Sequence, residues 1–99
     1  MKSFQELING DMPVLVDFYA DWCSPCRAME PVIREVAREM SDKVKTIKIN
    51  VDTNQQAAQA YSVSGIPTLI LFQQGKVLWR QSGMLNKSNI LYAIGQHVV

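Results

Sequence analysis

Cysteine is scarce in this chain of 99 residues: there are two, Cys23 and Cys26. A pair cannot build a disulfide-rich secreted scaffold. Nor can it fill a tetrahedral zinc site unless His97, the only histidine, and a further group join it, or two chains share the metal. Net charge is also nearly absent, at +1, which excludes a strongly basic nucleic-acid face as the first reading. Long apolar runs are missing: stretches such as Leu69 to Phe72 are far too short to span a bilayer. Met1 to Gly10 lacks the apolar segment of a secretory signal, so a soluble, cytoplasmic protein is expected. No repeat, linker or low-complexity stretch interrupts the chain.

What is present suits one folded unit. With 47 % hydrophobic and 19 % charged residues the chain can build a core without metals or several disulfides. A single domain over residues 1–99 is the expectation.

The elements read in order. Ser3-Phe4-Gln5-Glu6 forms a capping box for a short helix, with Gly10 as its stop. Val14 to Ala20 is a β-branched and aromatic run, as in a central strand covered on both faces. From Ser24 the period changes: Met29, Val32, Ile33, Val36, Ala37 and Met40 line one helical face. Glu30 with Arg34, and Glu35 with Arg38, occupy the opposite one. Pro31 should kink this helix, and Ser41-Asp42 should end it. Val44 to Val51 reads as a strand, and Thr53-x-x-Gln56 as a capping box opening a short helix through Tyr61. Thr68 to Phe72 and Lys76 to Gln81 form a hairpin across Gln73-Gln74-Gly75. Asn86 caps a last helix with Ile90, Leu91, Ile94 and Val98 on one side. Alternating strands and helices with a closing hairpin imply an α/β fold around a mixed sheet.

The C-x-x-C spacing alone is weak evidence, but its setting is informative. Cys23 follows a strand and precedes a helix, where unpaired backbone N–H groups and the positive end of the macrodipole favour a thiolate. Only the thiolate attacks a disulfide. Cys26, in the first helical turn, can reach back to Cys23, and Pro25 is suited to that turn. A C-x-x-C beside a β-α-β pattern points to redox chemistry rather than to two inert core thiols. Asp17 interrupts an apolar strand, and burying a carboxylate is costly, so a site-linked role with a raised pKa is expected. Lys48, between Ile47 and Ile49, reads as an edge or surface lysine. Trp22, ahead of a reactive cysteine, reads as an exposed apolar platform.

The segment Trp22-Cys23-Ser24-Pro25-Cys26, preceded by V-D-F-Y-A and followed by Pro31, resembles the thioredoxin family, whose usual motif has glycine where Ser24 stands. The match continues through K-I-N-V-D at 48–52, G-I-P-T at 65–68, F-x-x-G at 72–75 and Gly83. The resemblance implies the thioredoxin fold, with helices on both faces of the sheet. It implies protein-disulfide reduction through a Cys23–Cys26 dithiol/disulfide cycle, with Asp17 beneath Cys26 as proton acceptor and Lys48 modulating its charge. It further implies a cis-proline at Pro67 facing the cysteines, leaving the Ile66 backbone free to pair with an extended substrate. Substrate would lie against Trp22, Ser24, Pro25, Gly65, Ile66, Pro67, Gly83 and Met84. No metal or bound cofactor is needed: electrons would come from NADPH through a thioredoxin reductase. That reductase and disulfide-containing proteins are the expected partners, of a monomer. An oxidase or isomerase of the same fold, or a non-catalytic docking module, are the alternatives. The family's additional first strand has no counterpart in the thirteen residues before Val14. About four strands are therefore expected, with strand 44–51 at an edge and Lys43, Lys45 and Lys48 discouraging pairing there.

Overall fold

The computed structural model describes residues 2–98; Met1 and Val99, the ends of the expected 1–99 domain, lie outside the described residues. Four helices and four strands follow in the order α1 (Phe4–Ile8), β1 (Val14–Tyr19), α2 (Ser24–Glu39), β2 (Lys45–Asn50), α3 (Gln55–Ala60), β3 (Thr68–Gln73), β4 (Lys76–Ser82) and α4 (Lys87–His97). The sheet order is β2-β1-β3-β4. β1 pairs parallel with β2, antiparallel with β3, and β3 pairs antiparallel with β4. The mixed four-stranded sheet is the one the sequence implies, with β2 at an edge and β1 inside.

Side chains alternate across β1, and the two faces bury different partners. Leu15 packs with Met29, Ile33 and Val36 of α2 and with Ile90 and Ile94 of α4. Val14, Val16 and Phe18 pack on the other face with Ile8, Ile49, Ile70 and Phe72. Phe4 of α1 and Tyr61 close that side, each edge-on to Phe72 at 5.9 and 4.9 Å between ring centroids. Asp17, two residues after Leu15, shares the α2 face by the same alternation.

The helix signals fare unevenly. The Ser3/Glu6 capping box forms, and Asn86 Oδ1 accepts from the Asn89 N–H at 2.9 Å. α1 stops one residue earlier than expected, with Asn9 rather than Gly10 at its end, and α2 ends at Glu39 with Met40 as its cap, ahead of Ser41-Asp42. Pro31 lies within α2, which continues past it as one helix. The capping box at Thr53 does not form. The cap of α3 is Asn54, without a side-chain bond to the helix. The reason is a competing turn after β2: Asn50 Oδ1 accepts from the Asp52 N–H, while its carbonyl accepts from Thr53 Oγ1 and Asn54 Nδ2.

The β3–β4 loop shortens to Gln74-Gly75, both at positive φ (52° and 77°), the backbone of a two-residue hairpin that continues strand twist. Its tip is pinned to the end of α1: Gln74 N–H donates to Gly10 O and Gly75 N–H to Ile8 O. A Cβ at Gly75 would stand 2.9 Å from Asn9 Oδ1, the end of a side chain that can turn aside, so it is the φ of 77° that favours glycine here.

Candidate functional site

The site forms where β1 ends and α2 begins. Cys23 is the N-cap of α2; its Sγ accepts from the Cys26 N–H at 3.2 Å, and Pro25 lies in the first turn, where no N–H is needed. Cys23 and Cys26 are joined by a disulfide, their Cα atoms 5.2 Å apart. Both are nearly buried, at 4 and 5 % exposure, and pack with Ala20, Ile66 and Val51. An N-cap sulfur receives an orphan backbone donor and the positive helix end, which stabilise it as a thiolate once the disulfide is opened.

The surroundings of the pair form an exposed rim. Trp22 is 67 % exposed, as its sequence context suggests, and its Nε1 donates to Asp52 Oδ2 at 2.9 Å, which fixes the indole beside the cysteines. Ser24 and Pro25 are exposed. The Ile66–Pro67 peptide is cis, as the resemblance implies. Ile66 is half-buried against the cysteine cluster, and Pro67 is buried. Gly83 N–H donates to Pro67 O at 2.9 Å, and Thr68 Oγ1 lies 2.5 Å from Gly65 O and 2.9 Å from Ser82 Oγ. These bonds tie the ends of β3 and β4 into one ledge. Gly83 sits at φ 95°, the conformation that favours glycine, with open space where a Cβ would be. Met84 follows at 58 % exposure.

A buried carboxyl lies on the strand that leads to the disulfide, on the face that α2 covers. Asp17 is 2 % exposed, and its Oδ1 has no hydrogen-bond partner. Desolvation pushes its pKa from 3.8 up to about 6; Lys48 opposes that rise and Glu30 adds to it. Lys48 is the register partner of Asp17 across β1 and β2. Its Nζ does not bond Asp17, however: it lies 3.3 Å from Glu30 Oε2 and 4.3 Å from the centroid of the Tyr19 ring. A cavity of about 260 Å³ is lined by Lys48 and Glu30 together with Cys26, Tyr19, Ala20, Asp21 and Arg27; Asp17 is not part of its lining.

Glu30 thus departs from its reading as part of a purely solvated helix face: it lines the same cavity as Cys26. Glu30 follows Cys26 by four residues and so shares its side of α2, but with Arg34 four residues on it reads as ordinary helix surface. Asp52, the anchor of Trp22, closes the K-I-N-V-D match at 48–52, but nothing local to it points to the indole. Arg27, at the mouth of that cavity, is exposed and donates to Asp21 O at 3.1 Å. His97 is exposed, and among the described residues no cluster of three or more His, Cys, Asp or Glu could hold a metal ion. No helix of the described residues is long and apolar enough to cross a membrane.

Comparison with known proteins agrees with this geometry. The family model Thioredoxin matches residues 1–96. A thioredoxin of Rickettsia bellii is 39 % identical over 98 residues, covering 98 % of this chain and 93 % of that protein. One from Haemophilus influenzae is 44 % identical over 92 residues, 93 % of this chain and 86 % of its own length. One from Pseudomonas aeruginosa is 46 % identical over 86 residues, 87 % of this chain and 80 % of its own. With its strand-to-helix disulfide, the chain belongs to the thioredoxin family, and it is a thiol–disulfide oxidoreductase that reduces protein disulfides.

Proposed function

We propose that Cys23 is the attacking thiol, Cys26 the resolving thiol and Asp17 the proton acceptor of that resolving step. The observation that carries the reading is the position of Cys23: it caps α2, it is already joined to Cys26, and it lies between the exposed Trp22 and the Ile66–Pro67 ledge. In the reduced protein the Cys23 thiolate attacks one sulfur of a partner's disulfide. A mixed disulfide forms, and the partner's other sulfur leaves as a thiolate that takes a proton from solvent. Asp17 accepts the Cys26 proton, directly or through water in the adjoining cavity. The Cys26 thiolate then attacks Cys23 Sγ, the Cys23–partner bond breaks, and the second partner sulfur leaves as a thiolate that takes up a proton, while Asp17 returns the Cys26 proton to solvent. The partner gains two electrons and two protons, and Cys23–Cys26 returns as the disulfide. Lys48 acts on this cycle through its charge.

Trp22, Ser24, Pro25, Gly65, Ile66, Pro67, Gly83 and Met84 form the docking surface for an extended partner segment. An NADPH-dependent thioredoxin reductase regenerates the dithiol, with no bound cofactor or metal in the chain itself. The residues between the cysteines, Ser24 and Pro25, carry no charge that would favour the reduced form, which supports a reductant over an oxidant. The protein acts as one domain over residues 1–99, as a cytoplasmic monomer.

Trapping tests the assignment. Cys26→Ser is expected to accumulate a covalent adduct, through Cys23, with a peptide disulfide, resolved by mass spectrometry and released by dithiothreitol. Cys23→Ser is expected to form none and to lose disulfide reduction. Full reduction by the Cys23 variant would overturn the assignment and leave a docking module.

A further inference from the structure

We propose that Glu30 is a positioning residue for the resolving step: its carboxylate holds the Lys48 ammonium at the cavity beside Cys26 and thereby governs proton exchange between Asp17 and Cys26. The inference rests on the reading of Asp17 as proton acceptor.

The geometry carries it. Lys48 is level with Asp17 across the parallel β1–β2 pair, so it is the cation placed to neutralise that carboxyl. Instead its Nζ is held 3.3 Å from Glu30 Oε2, with the Tyr19 ring beneath it at 4.3 Å. Asp17 Oδ1 is left buried and unpartnered. Glu30 is fixed in turn by Arg34, whose Nη2 lies 2.7 Å from Glu30 Oε1, so its two oxygens divide between two cations. Glu30 and Lys48 line the cavity that also contains Cys26, and both also line a second hollow of about 180 Å³ beside Thr46 and Ile33.

The charged and titratable groups on the elements packed around Asp17 are few. α2 supplies Cys26, Arg27, Glu30 and Arg34, β2 supplies Lys48, and Tyr19 and Asp21 follow Asp17 on its own segment. β3 supplies none, since the partner of Asp17 there is Leu69. Glu30 is thus the one carboxylate on α2 in this cavity, and it acts on Asp17 in two ways of the same sign. Its negative charge opposes ionisation of Asp17 directly, and its bond to Lys48 holds the compensating cation away. In agreement, Glu30 raises the Asp17 pKa while Lys48 lowers it. A proton acceptor of higher pKa takes the Cys26 proton with more driving force and is ready for use at neutral pH. Neutralising Glu30 removes both effects, so Asp17 becomes the stronger acid.

The test is stopped-flow reaction of the reduced full-length protein with a fluorogenic peptide disulfide across pH. The concentration-dependent first phase reports Cys23 attack, and the concentration-independent second phase reports resolution by Cys26. In Glu30→Gln the acid limb of the second phase should move to lower pH by about half a unit or more. Its plateau rate should fall, while the first phase keeps its pH profile. Loss of side-chain packing alone would lower rates without moving the limb. Asp17→Asn, measured alongside, should abolish the limb. If Asp17→Asn retains it, the proton-acceptor reading fails, and this proposal with it. If Asp17→Asn abolishes the limb but Glu30→Gln leaves it unmoved or raises it, the role of Glu30 alone is overturned.

Discussion

At the residue scale, Asp17 concentrates the cost of the site. A carboxylate that is 2 % exposed, with one oxygen unpartnered, is disfavoured whenever it is ionised. Its folded pKa, about 6, lies above the ordinary aspartate value of 3.8 that an unfolded chain would show. Between those values the folded state therefore binds more protons than the unfolded one, and stability falls as pH rises through the window. The shift comes from desolvation, with Lys48 opposing it and Glu30 adding to it, and corresponds to about 3 kcal/mol at pH 7, most of it lost between pH 4 and pH 7. Asp17→Asn removes the titration. In urea unfolding of the oxidised protein, the variant should gain stability over the parent as pH rises from 4 to 7, by up to about 3 kcal/mol. A difference constant across that range would show that Asp17 does not titrate as its burial requires. Asp17 is legible in the sequence because an acid inside V-L-V-D-F-Y violates the strand's own pattern. Glu30 is not, because glutamate with arginine four residues on is ordinary helix surface, and only the sheet beneath it brings Lys48 within reach.

At the scale of elements, local chemistry is readable where no second local partner competes for it. Ser3 and Asn86 each cap the helix they precede, since their side chains have no closer donor than the helix itself. Thr53 fails because the Asn50 carbonyl lies nearer, at the end of β2, and takes both the Thr53 and Asn54 side chains. The two asparagine caps should consequently respond differently. Asn86→Ala leaves the Asn89 N–H without its 2.9 Å acceptor and should cost about 1 kcal/mol, because α4 is anchored in the core by Ile90 and Ile94. Asn54→Ala removes no helix-capping bond, so its cost should come from the Asn50 turn and be smaller. Equal losses in chemical denaturation of the two variants would contradict this assignment of the caps. The disulfide obeys the same logic: Cys23 is an N-cap by strand-helix punctuation, which sequence spacing conveys, whereas the Trp22–Asp52 bond joins residues thirty apart and waits on the β1–β2 pairing.

At the scale of the whole molecule, sheet order assembles the docking ledge and also leaves an edge. Because β3 lies next to β1, the residues before β3 and after β4 meet the end of β1, and Ile66 packs on the cysteines. The opposite consequence falls on β2, which pairs with β1 and, among the described residues, with no other strand. Its free side is a template for another copy, and an antiparallel β2–β2 contact would be two-fold symmetric, with each residue counted twice. Lys43, Lys45 and Lys48 are exposed along this segment, so such a contact brings ammonium groups together. Lys48 also lines the cavity, whereas Lys45 does not, and among the described residues its side chain bonds no other, so it can be changed without touching that site. Removing Lys45 from both copies relieves about 1 kcal/mol of repulsion, about fivefold in the dissociation constant of the edge-paired dimer. Lys45→Val is therefore expected to self-associate at lower concentration than the parent in sedimentation equilibrium at low salt, with thiol–disulfide activity per monomer unchanged. High salt should narrow the difference by screening the remaining lysines in the parent. Identical self-association of variant and parent at every concentration would mean that the lysines do not guard this edge, and that the twist of β2 itself, or the residues around it, keeps copies apart.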